Sequence, residues 1–240
     1  MNVIGLCGFI GSGKNTVGDI LVNDYGYEKL SFAGTLKDIT SILFSWDRNL
    51  LEGDTPDGRE FREKKDEYWS NILGYYVTPR NMLQKMGTEV MRNNVHNDIW
   101  VNSLKKKLLD NRNKKFVITD VRFQNEIDFL RDKSIGAKII QIFRGTKPEW
   151  YDDAKSELSG KEKGIMAEKW PNVHRSEWDW INSKLDYYLI NETTLDELKV
   201  NVELMLKVTN PGESSRLIDL AGIPFDEKWV KFPFPLNIDN

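Results

Sequence analysis

Cysteine is almost absent from this chain: Cys7 stands alone in 240 residues. No disulfide can close within the chain and no cysteine-rich metal site can form, which fits a reducing compartment. No stretch reaches about 20 consecutive apolar residues, and the start, Met1-Asn2-Val3-Ile4-Gly5-Leu6, lacks the charged opening and long apolar run of a signal peptide. The expectation is a soluble, cytoplasmic protein with no membrane partner. An excess of one charge is missing too, because 34 Lys+Arg face 37 Asp+Glu for a net charge of -3. That balance argues against a general surface for polymeric nucleic acid, which usually wants a basic patch. It leaves room for a local arginine cluster that binds single nucleotides. Internal repeats and low-complexity tracts are also lacking.

What is present is an alternation of short apolar runs and helical spacings, the pattern of a parallel sheet covered on both faces. Strands are predicted at residues 3–7, 30–33, 116–119, 137–143 and 185–190. Helical spacing places Val17, Ile20, Leu21 and Tyr25 on one face, then Leu36, Ile39, Leu43 and Trp46 on another. Thr78-Pro79 reads as an N-cap with proline at the first helical position, opening a helix with Met82, Leu83, Met86 and Val90 inside. Asp98 is predicted to cap a helix carrying Trp100, Leu104 and Leu108, and Ile127 and Leu130 mark a further one. Thr194 and Glu197 form a capping box on a last helix with Leu198, Val202 and Met205. Residues 47–76 form a highly charged insertion, and residues 145–183, rich in Lys and Trp, have the length of a lid. The tail 208–240 holds four of the eight prolines and reads as irregular, leaving 1–207 as the folded domain.

The strongest chemical signal is Gly8-Phe9-Ile10-Gly11-Ser12-Gly13-Lys14-Asn15-Thr16. It supplies the G-x-x-x-x-G-K core of a phosphate-binding loop, placed between a predicted strand and a predicted helix as that motif requires. Its glycines let backbone N–H groups wrap a phosphate at the positive end of a helix, and Lys14 adds a full charge for the β- and γ-phosphates. The predicted fold is therefore α/β, a three-layer P-loop NTPase type with a five-stranded parallel sheet. Asn15 stands where Ser or Thr usually binds Mg²⁺. Its amide oxygen can coordinate the ion or hold one of its waters, and Thr16 would donate to the α-phosphate.

A GTPase would carry an Asn-Lys-x-Asp motif, and none occurs. The nearest approach to a motor-ATPase acidic strand is Val117-Ile118-Thr119-Asp120, followed by Arg122 rather than a second acid. A kinase for a phosphorylated acceptor must instead gather cations around the transferring group. Isolated arginines at element ends or on loops meet that need: Arg59, Arg80, Arg92, Arg122, Arg144 and Arg175.

In their sequence context these residues carry a resemblance. Gly11-Ser12-Gly13-Lys14-Asn15-Thr16, Phe32-Ala33-Gly34-Thr35-Leu36-Lys37-Asp38, Leu83-Gln84-Lys85-Met86-Gly87-Thr88-Glu89 with Trp100-Val101, Thr119-Asp120-Val121-Arg122-Phe123-Gln124-Asn125-Glu126, and His174-Arg175-Ser176-Glu177 leading to Asn191 and Leu198 follow one another in order. The chain so resembles the deoxynucleotide monophosphate kinases of tailed bacteriophages over about residues 2–207. The resemblance implies ATP and Mg²⁺ as cofactors and a deoxynucleoside monophosphate as acceptor. It makes Lys14, Arg122 and Lys37 the catalytic candidates and assigns Gly11 to Thr16 to ATP. Lys37, Arg59 and Arg80 would hold the acceptor phosphate, and Gly87 and Thr88 would line its pocket. Trp100 would stack on the base or wall the pocket, unless it serves its helix as a core residue. Asp120 would hold a Mg²⁺-bound water or the nucleotide, sharing the metal with Asn15. Arg122 would neutralise the transferring phosphoryl group. Glu126 would orient Arg122 or favour the start of its helix, within the substrate site. His174 matches a lid-side histidine or serves the surface.

The leading reading is thus phosphoryl transfer from ATP to a deoxynucleoside monophosphate. A kinase for another phosphorylated metabolite, of dephospho-coenzyme A or phosphomevalonate type, and a slow regulatory ATPase are the alternatives. Base choice and oligomeric state, a homodimer included, are not written in the sequence.

Overall fold

The computed structural model describes residues 1–192, 194–209 and 230–231. The chain opens with β1 (Asn2–Cys7), α1 (Lys14–Tyr25) and β2 (Glu28–Leu30). Helices α2 (Gly34–Phe44), α3 (Pro56–Glu63), α4 (Glu67–Leu73), α5 (Pro79–Gln84) and α6 (Ile99–Asp110) follow, with a 3₁₀ turn at Leu50–Glu52 and a π-helix at Lys85–Arg92. The chain returns through β3 (Lys115–Ile118), α7 (Gln124–Arg131) and β4 (Lys138–Phe143). Helices α8 (Tyr151–Leu158) and α9 (Ile165–Lys169) and a 3₁₀ turn at Arg175–Glu177 precede β5 (Tyr187–Ile190), α10 (Leu195–Thr209) and β6 (Val230–Lys231). These elements form two compact units, residues 1–29 with 112–240, and residues 30–111.

The first unit carries the sheet, in strand order β2-β3-β1-β4-β5-β6. β1 pairs parallel with β3 and β4, and β4 with β5, giving the five-stranded parallel sheet expected. β6 adds an antiparallel edge on β5. Alternation along β1 builds both faces. Ile4 and Leu6 join Val17, Ile20 and Leu21 of α1 and Leu198, Val202 and Met205 of α10 in one buried cluster. Gly5 points to the other face, where a Cβ would lie 3.0–3.2 Å from Leu130, Ile139 and Val121, so α7 packs close to the strand. The architecture is α1/α10, sheet, α7. Because β1 is central, whatever follows it emerges at the carboxyl edge of the sheet, where α/β folds bind ligands.

Residues 145–183, expected as a lid-like insertion, contain their own small core of Ala154, Ile165, Met166 and Trp178. In the second unit α2 to α6 enclose Leu36, Phe44, Trp46, Leu51, Val77, Met82, Leu83 and Trp100. Phe44 stacks on Trp46 at 4.5 Å and meets Trp69 edge-on at 5.0 Å.

Several sequence expectations need correction. The second strand lies at Glu28–Leu30, because Ser31 begins a turn in which Gly34 N–H donates to Ser31 O at 3.1 Å. In α2 the buried positions are Leu36, Thr40 and Phe44, whereas Ile39 and Leu43 are exposed. The Thr40 hydroxyl bonds back to the Leu36 carbonyl, which lets a polar residue sit on the inner face. The charged stretch 47–76 holds α3 and α4 as well as loops, capped by Thr55 and Asp66 side chains. α10 runs through Thr209 and crosses the expected domain edge at 207. Of the predicted tail, β6 is a short strand, and the rest lies outside the described residues. Thr78 caps α5 in a reciprocal box with Asn81, and Thr194 and Glu197 bond as expected.

Gly18 of α1 faces β3's carboxyl end, where a Cβ would sit 2.6 Å from Thr119 Cγ2. Gly18→Ala should destabilise by about 1–3 kcal/mol through overpacking. Thr119→Ser, which removes that methyl, should recover part of the loss in the double variant. Thermal or urea unfolding of the four proteins measures the coupling, and strict additivity would contradict the contact.

Candidate functional site: a phosphate loop and its cations

The turn between β1 and α1 is built from residues that other side chains could not replace. Gly8, Gly11 and Gly13 have φ of 141°, 78° and 95°, a region costly for residues with a Cβ. At Gly8 a Cβ would lie 2.3 Å from the Ile142 carbonyl oxygen, and at Gly13 it would lie 2.2 Å from Asn191 Nδ2. Asn191, just past β5, donates from that amide to Ser12 O at 2.8 Å. Its own N–H donates to Phe143 O, also at 2.8 Å. Phe9 is buried against Trp150, Tyr151 and Trp180, with centroids 5.6, 6.1 and 5.1 Å away. Two neighbouring strands and the 145–183 insertion thus hold the loop. Gly11 faces open space, at the N-terminal end of α1, where backbone N–H groups favour an anion.

Lys14 Nζ donates to the carbonyls of Gly8 and Phe9, each at 2.8 Å. Burial, then the nearby positive charge of Arg122, pushes its pKa down from 10.5 to about 8; Glu177, Cys7 and Asp120 oppose the shift. Lys14, Asp120, Arg122 and Glu177 therefore share one electrostatic site. The Cys7 thiol beneath it is driven by burial up to about 12, so it takes no part as a nucleophile.

The stretch after β3 is held by two acids. Glu126 is buried, and its Oε2 accepts from the backbone N–H of Arg122 at 2.8 Å and of Phe123 at 3.1 Å. These bonds hold the backbone at Arg122 and at the start of α7. Asp179 Oδ2 accepts from Gln124 N–H at 3.0 Å. Arg122 Nη1 donates to Glu177 Oε1 at 2.6 Å.

Among the described residues no group of three or more His, Cys, Asp or Glu is arranged to hold a metal. Mg²⁺ asks less, since it keeps several waters and takes one or two protein oxygens plus substrate phosphates. Asn15, the second residue of α1, is half-buried, and the Asp120 charge is felt at Lys14. These two oxygen donors beside the loop fit such an ion.

In the second unit the predicted acceptor cations are already engaged. Lys37 pairs with Glu52, and Arg48 bridges Glu52 and Asp38, the latter at 2.7 Å. Burial works to raise the Glu52 carboxyl, yet Lys37 and Arg48 hold it below its ordinary value. Arg80 pairs with Glu63, and Arg59 Nη1 donates to Asp54 O at 3.0 Å. Thr88 is exposed on the π-helix, while Gly87 is buried beneath Leu36 Cδ2, 2.8 Å from where its Cβ would be. Trp100 is 4% exposed and donates from Nε1 to Gly87 O at 2.9 Å. Its ring is packed in the core, which leaves almost no face for stacking on a base. Asn191, Phe9 and Glu177 fall within the motifs quoted from the sequence but received no role there. Their partners lie 179, 141–171 and 55 positions away, where no local pattern can reveal them.

A deoxynucleotide monophosphate kinase of Acanthamoeba polyphaga mimivirus, itself a predicted one, is 34% identical over 212 residues, covering 82% of this chain and 92% of its own. The chain belongs to the deoxynucleotide monophosphate kinase family. The family model matches residues 53–167, a span that includes Arg59, Arg80, Asp120 and Arg122. The deoxynucleoside-5'-monophosphate kinase of Escherichia phage T5 is 32% identical over 128 residues, 53% of this chain and 51% of that one. Among solved structures, the dephospho-CoA kinase of Campylobacter jejuni aligns with 88% of this chain and 98% of its own at 16% identity, with a TM-score of 0.40. Family membership makes the protein a phosphotransferase with a dependence on ATP and Mg²⁺.

The depressed pKa of Lys14 has a measurable consequence for this kinase. A bound triphosphate favours the charged ammonium and raises that pKa, so binding takes up a proton wherever free Lys14 is neutral, above about pH 8. ATP affinity should be level below that pH and fall by up to about tenfold per pH unit above it. Calorimetry at pH 9 in buffers of different ionisation enthalpy should register uptake approaching one proton. The residual ATP affinity of Lys14→Met should be flat over the same range. A wild-type profile without this alkaline fall would contradict the depressed pKa.

Proposed function

We propose that this kinase transfers the γ-phosphoryl group of ATP to the 5'-phosphate of a deoxynucleoside monophosphate, giving the diphosphate and ADP. The observation that carries the reading is the phosphate loop itself, in which Gly8, Gly11 and Gly13 take positive φ and Lys14 Nζ lies on the Gly8 and Phe9 carbonyls, with the Arg122 charge helping to lower the Lys14 pKa. The carboxylates of Glu177 and Asp120 already share the site, and the end of a triphosphate brings both cations a further anionic partner where charge develops in the transfer. The loop N–H groups and Lys14 bind the β- and γ-phosphates, and Arg122 faces the transferring group.

An acceptor phosphate oxygen, already ionised near neutral pH, attacks the γ-phosphorus. The bond from that phosphorus to the β,γ-bridging oxygen breaks, and ADP departs with the electron pair. No general base and no covalent enzyme intermediate are needed, so positioning and charge stabilisation supply the catalysis. Mg²⁺, when bound, neutralises part of the donor's charge, and Asn15 and Asp120 are the residues that would hold it or its waters. In the 30–111 unit Lys37, Arg59 and Arg80 take the acceptor phosphate, exchanging Glu52, the Asp54 carbonyl and Glu63 for phosphate oxygens. Thr88 and Gly87 border that site. Lys37 is catalytic in so far as it holds the attacking phosphate.

A coupled assay over all deoxy- and ribonucleoside monophosphates tests the substrate class. Lys14→Ala should cost on the order of 10³-fold in kcat with little change in folding. Alanine at Lys37, Arg59 or Arg80 should lower kcat/KM for the acceptor at least ~30-fold, because removing one partner from a desolvated charge pair costs ~2–5 kcal/mol. The KM for ATP should stay near normal in those three. Arg122→Ala should act mainly on kcat, since its contact strengthens in the transition state. Impaired ATP binding alone in Arg59→Ala and Arg80→Ala would remove the acceptor assignment.

A further inference from the structure

Arg122 is a long side chain on the stretch that follows β3, and a guanidinium can stabilise a transferring phosphoryl group only if its fork is aimed in advance. The residue that aims it comes from the other end of the 145–183 insertion. Glu177 ends the 3₁₀ turn Arg175–Glu177, and its Oε1 receives Arg122 Nη1 at 2.6 Å, with side chains 18% and 37% exposed respectively. The bond takes one of the five guanidinium N–H donors, so the others can still meet phosphate oxygens.

The Glu177 backbone is itself fixed from two sides, independently of Arg122. Trp180 Nε1 donates to the Glu177 carbonyl at 3.1 Å, and the Trp180 ring is buried 5.1 Å from Phe9 of the phosphate loop. Asp179 accepts from Gln124 N–H at 3.0 Å and from Arg175 Nε at 2.7 Å, and Ser183 Oγ donates to Gln124 Oε1. Glu177 therefore stands on a backbone tied both to the phosphate loop and to the first turn of α7, the helix that begins two residues after Arg122. The charge of Glu177 also reaches Lys14, where it opposes that of Arg122, so the carboxylate lies within the cationic site.

We propose that Glu177 is a positioning residue for phosphoryl transfer, holding the Arg122 guanidinium in its working orientation and acting through Arg122 rather than by touching the nucleotide. The inference rests on the reading that Arg122 meets the transferring group. It departs from the opposite possibility that Glu177 is a placeholder which donor phosphates must push aside.

The test is a double-mutant cycle on the full chain, with kcat and both KM values measured for wild type, Glu177→Ala, Glu177→Gln, Arg122→Ala and the Glu177→Ala/Arg122→Ala pair. Thermal midpoints are recorded alongside. Misaiming a catalytic group costs on the order of 10²-fold, so Glu177→Ala should lower kcat roughly 10- to 100-fold while both KM values stay within about threefold. Glu177→Gln, which keeps an acceptor oxygen, should lose less. In the Arg122→Ala background the Glu177 change should have almost no further effect. An equal loss in both backgrounds, or a loss that tracks a fallen thermal midpoint, would overturn the proposal and leave Glu177 a structural residue. Tighter ATP binding with undiminished kcat in Glu177→Gln would overturn it in favour of the placeholder. If Arg122→Ala itself kept full kcat, the reading of Arg122 would fail and this inference with it, whereas the additive outcome removes this inference alone.

Discussion

Holding an ammonium group out of water without losing its charge is the constraint on which this site depends. Lys14 is bound by two carbonyl oxygens of its own loop, and burial, with the charge of Arg122, lowers its pKa to about 8. The arrangement requires that the loop not collapse or open. Its glycines permit the path, but the Asn191 amide on Ser12 and the aromatic set around Phe9 keep it there. Before any nucleotide arrives, the carbonyls meet the lysine's hydrogen-bonding needs only in part. The site is therefore poised for an anion, which is the general logic of a preorganised electrostatic centre.

That logic also orders the rest of the first unit. β1 is central in the sheet, so its carboxyl end lies between the ends of β3 and β4. β3 delivers Asp120 and Arg122, and the turn beyond β4 starts the insertion that delivers Glu177 and Trp180 back to the loop. Glu126 and Asp179 occupy backbone donors at the start of α7, where acids are favoured by the helix dipole. In the second unit Glu52 is shared between Lys37 and Arg48, and Glu63 pairs with Arg80.

How much could be read in advance follows the range of each interaction. The phosphate loop, the Thr78 and Thr194 caps and the α6 face of Trp100, Leu104 and Leu108 are local patterns, and all were legible. Family likeness carried Arg122 and Asp120, whose place after β3 agrees with the structure. The clamp at Asn191 and the Arg122–Glu177 pair were not legible, since 179 and 55 residues separate their partners. The inner face of α2 was misread because Thr40 satisfies its hydroxyl on Leu36 and so passes for an apolar residue. Downstream of Gln84 the helix widens to a π turn, which changes the residue phase and leaves Val90 exposed, a shift that a fixed 3.6-residue period cannot anticipate.

Cys7 closes β1 immediately before the loop, fully buried, with its thiol held protonated far above neutral pH. Thiolate is the form that alkylating reagents and oxidants attack, so the folded enzyme offers them almost no target despite a sulfur next to its most important turn. Reaction at this sulfur requires the central strand to come apart. The chain consequently carries a single intrinsic probe of opening at its centre, one whose labelling rate reads the stability of the sheet that the phosphate loop is built on.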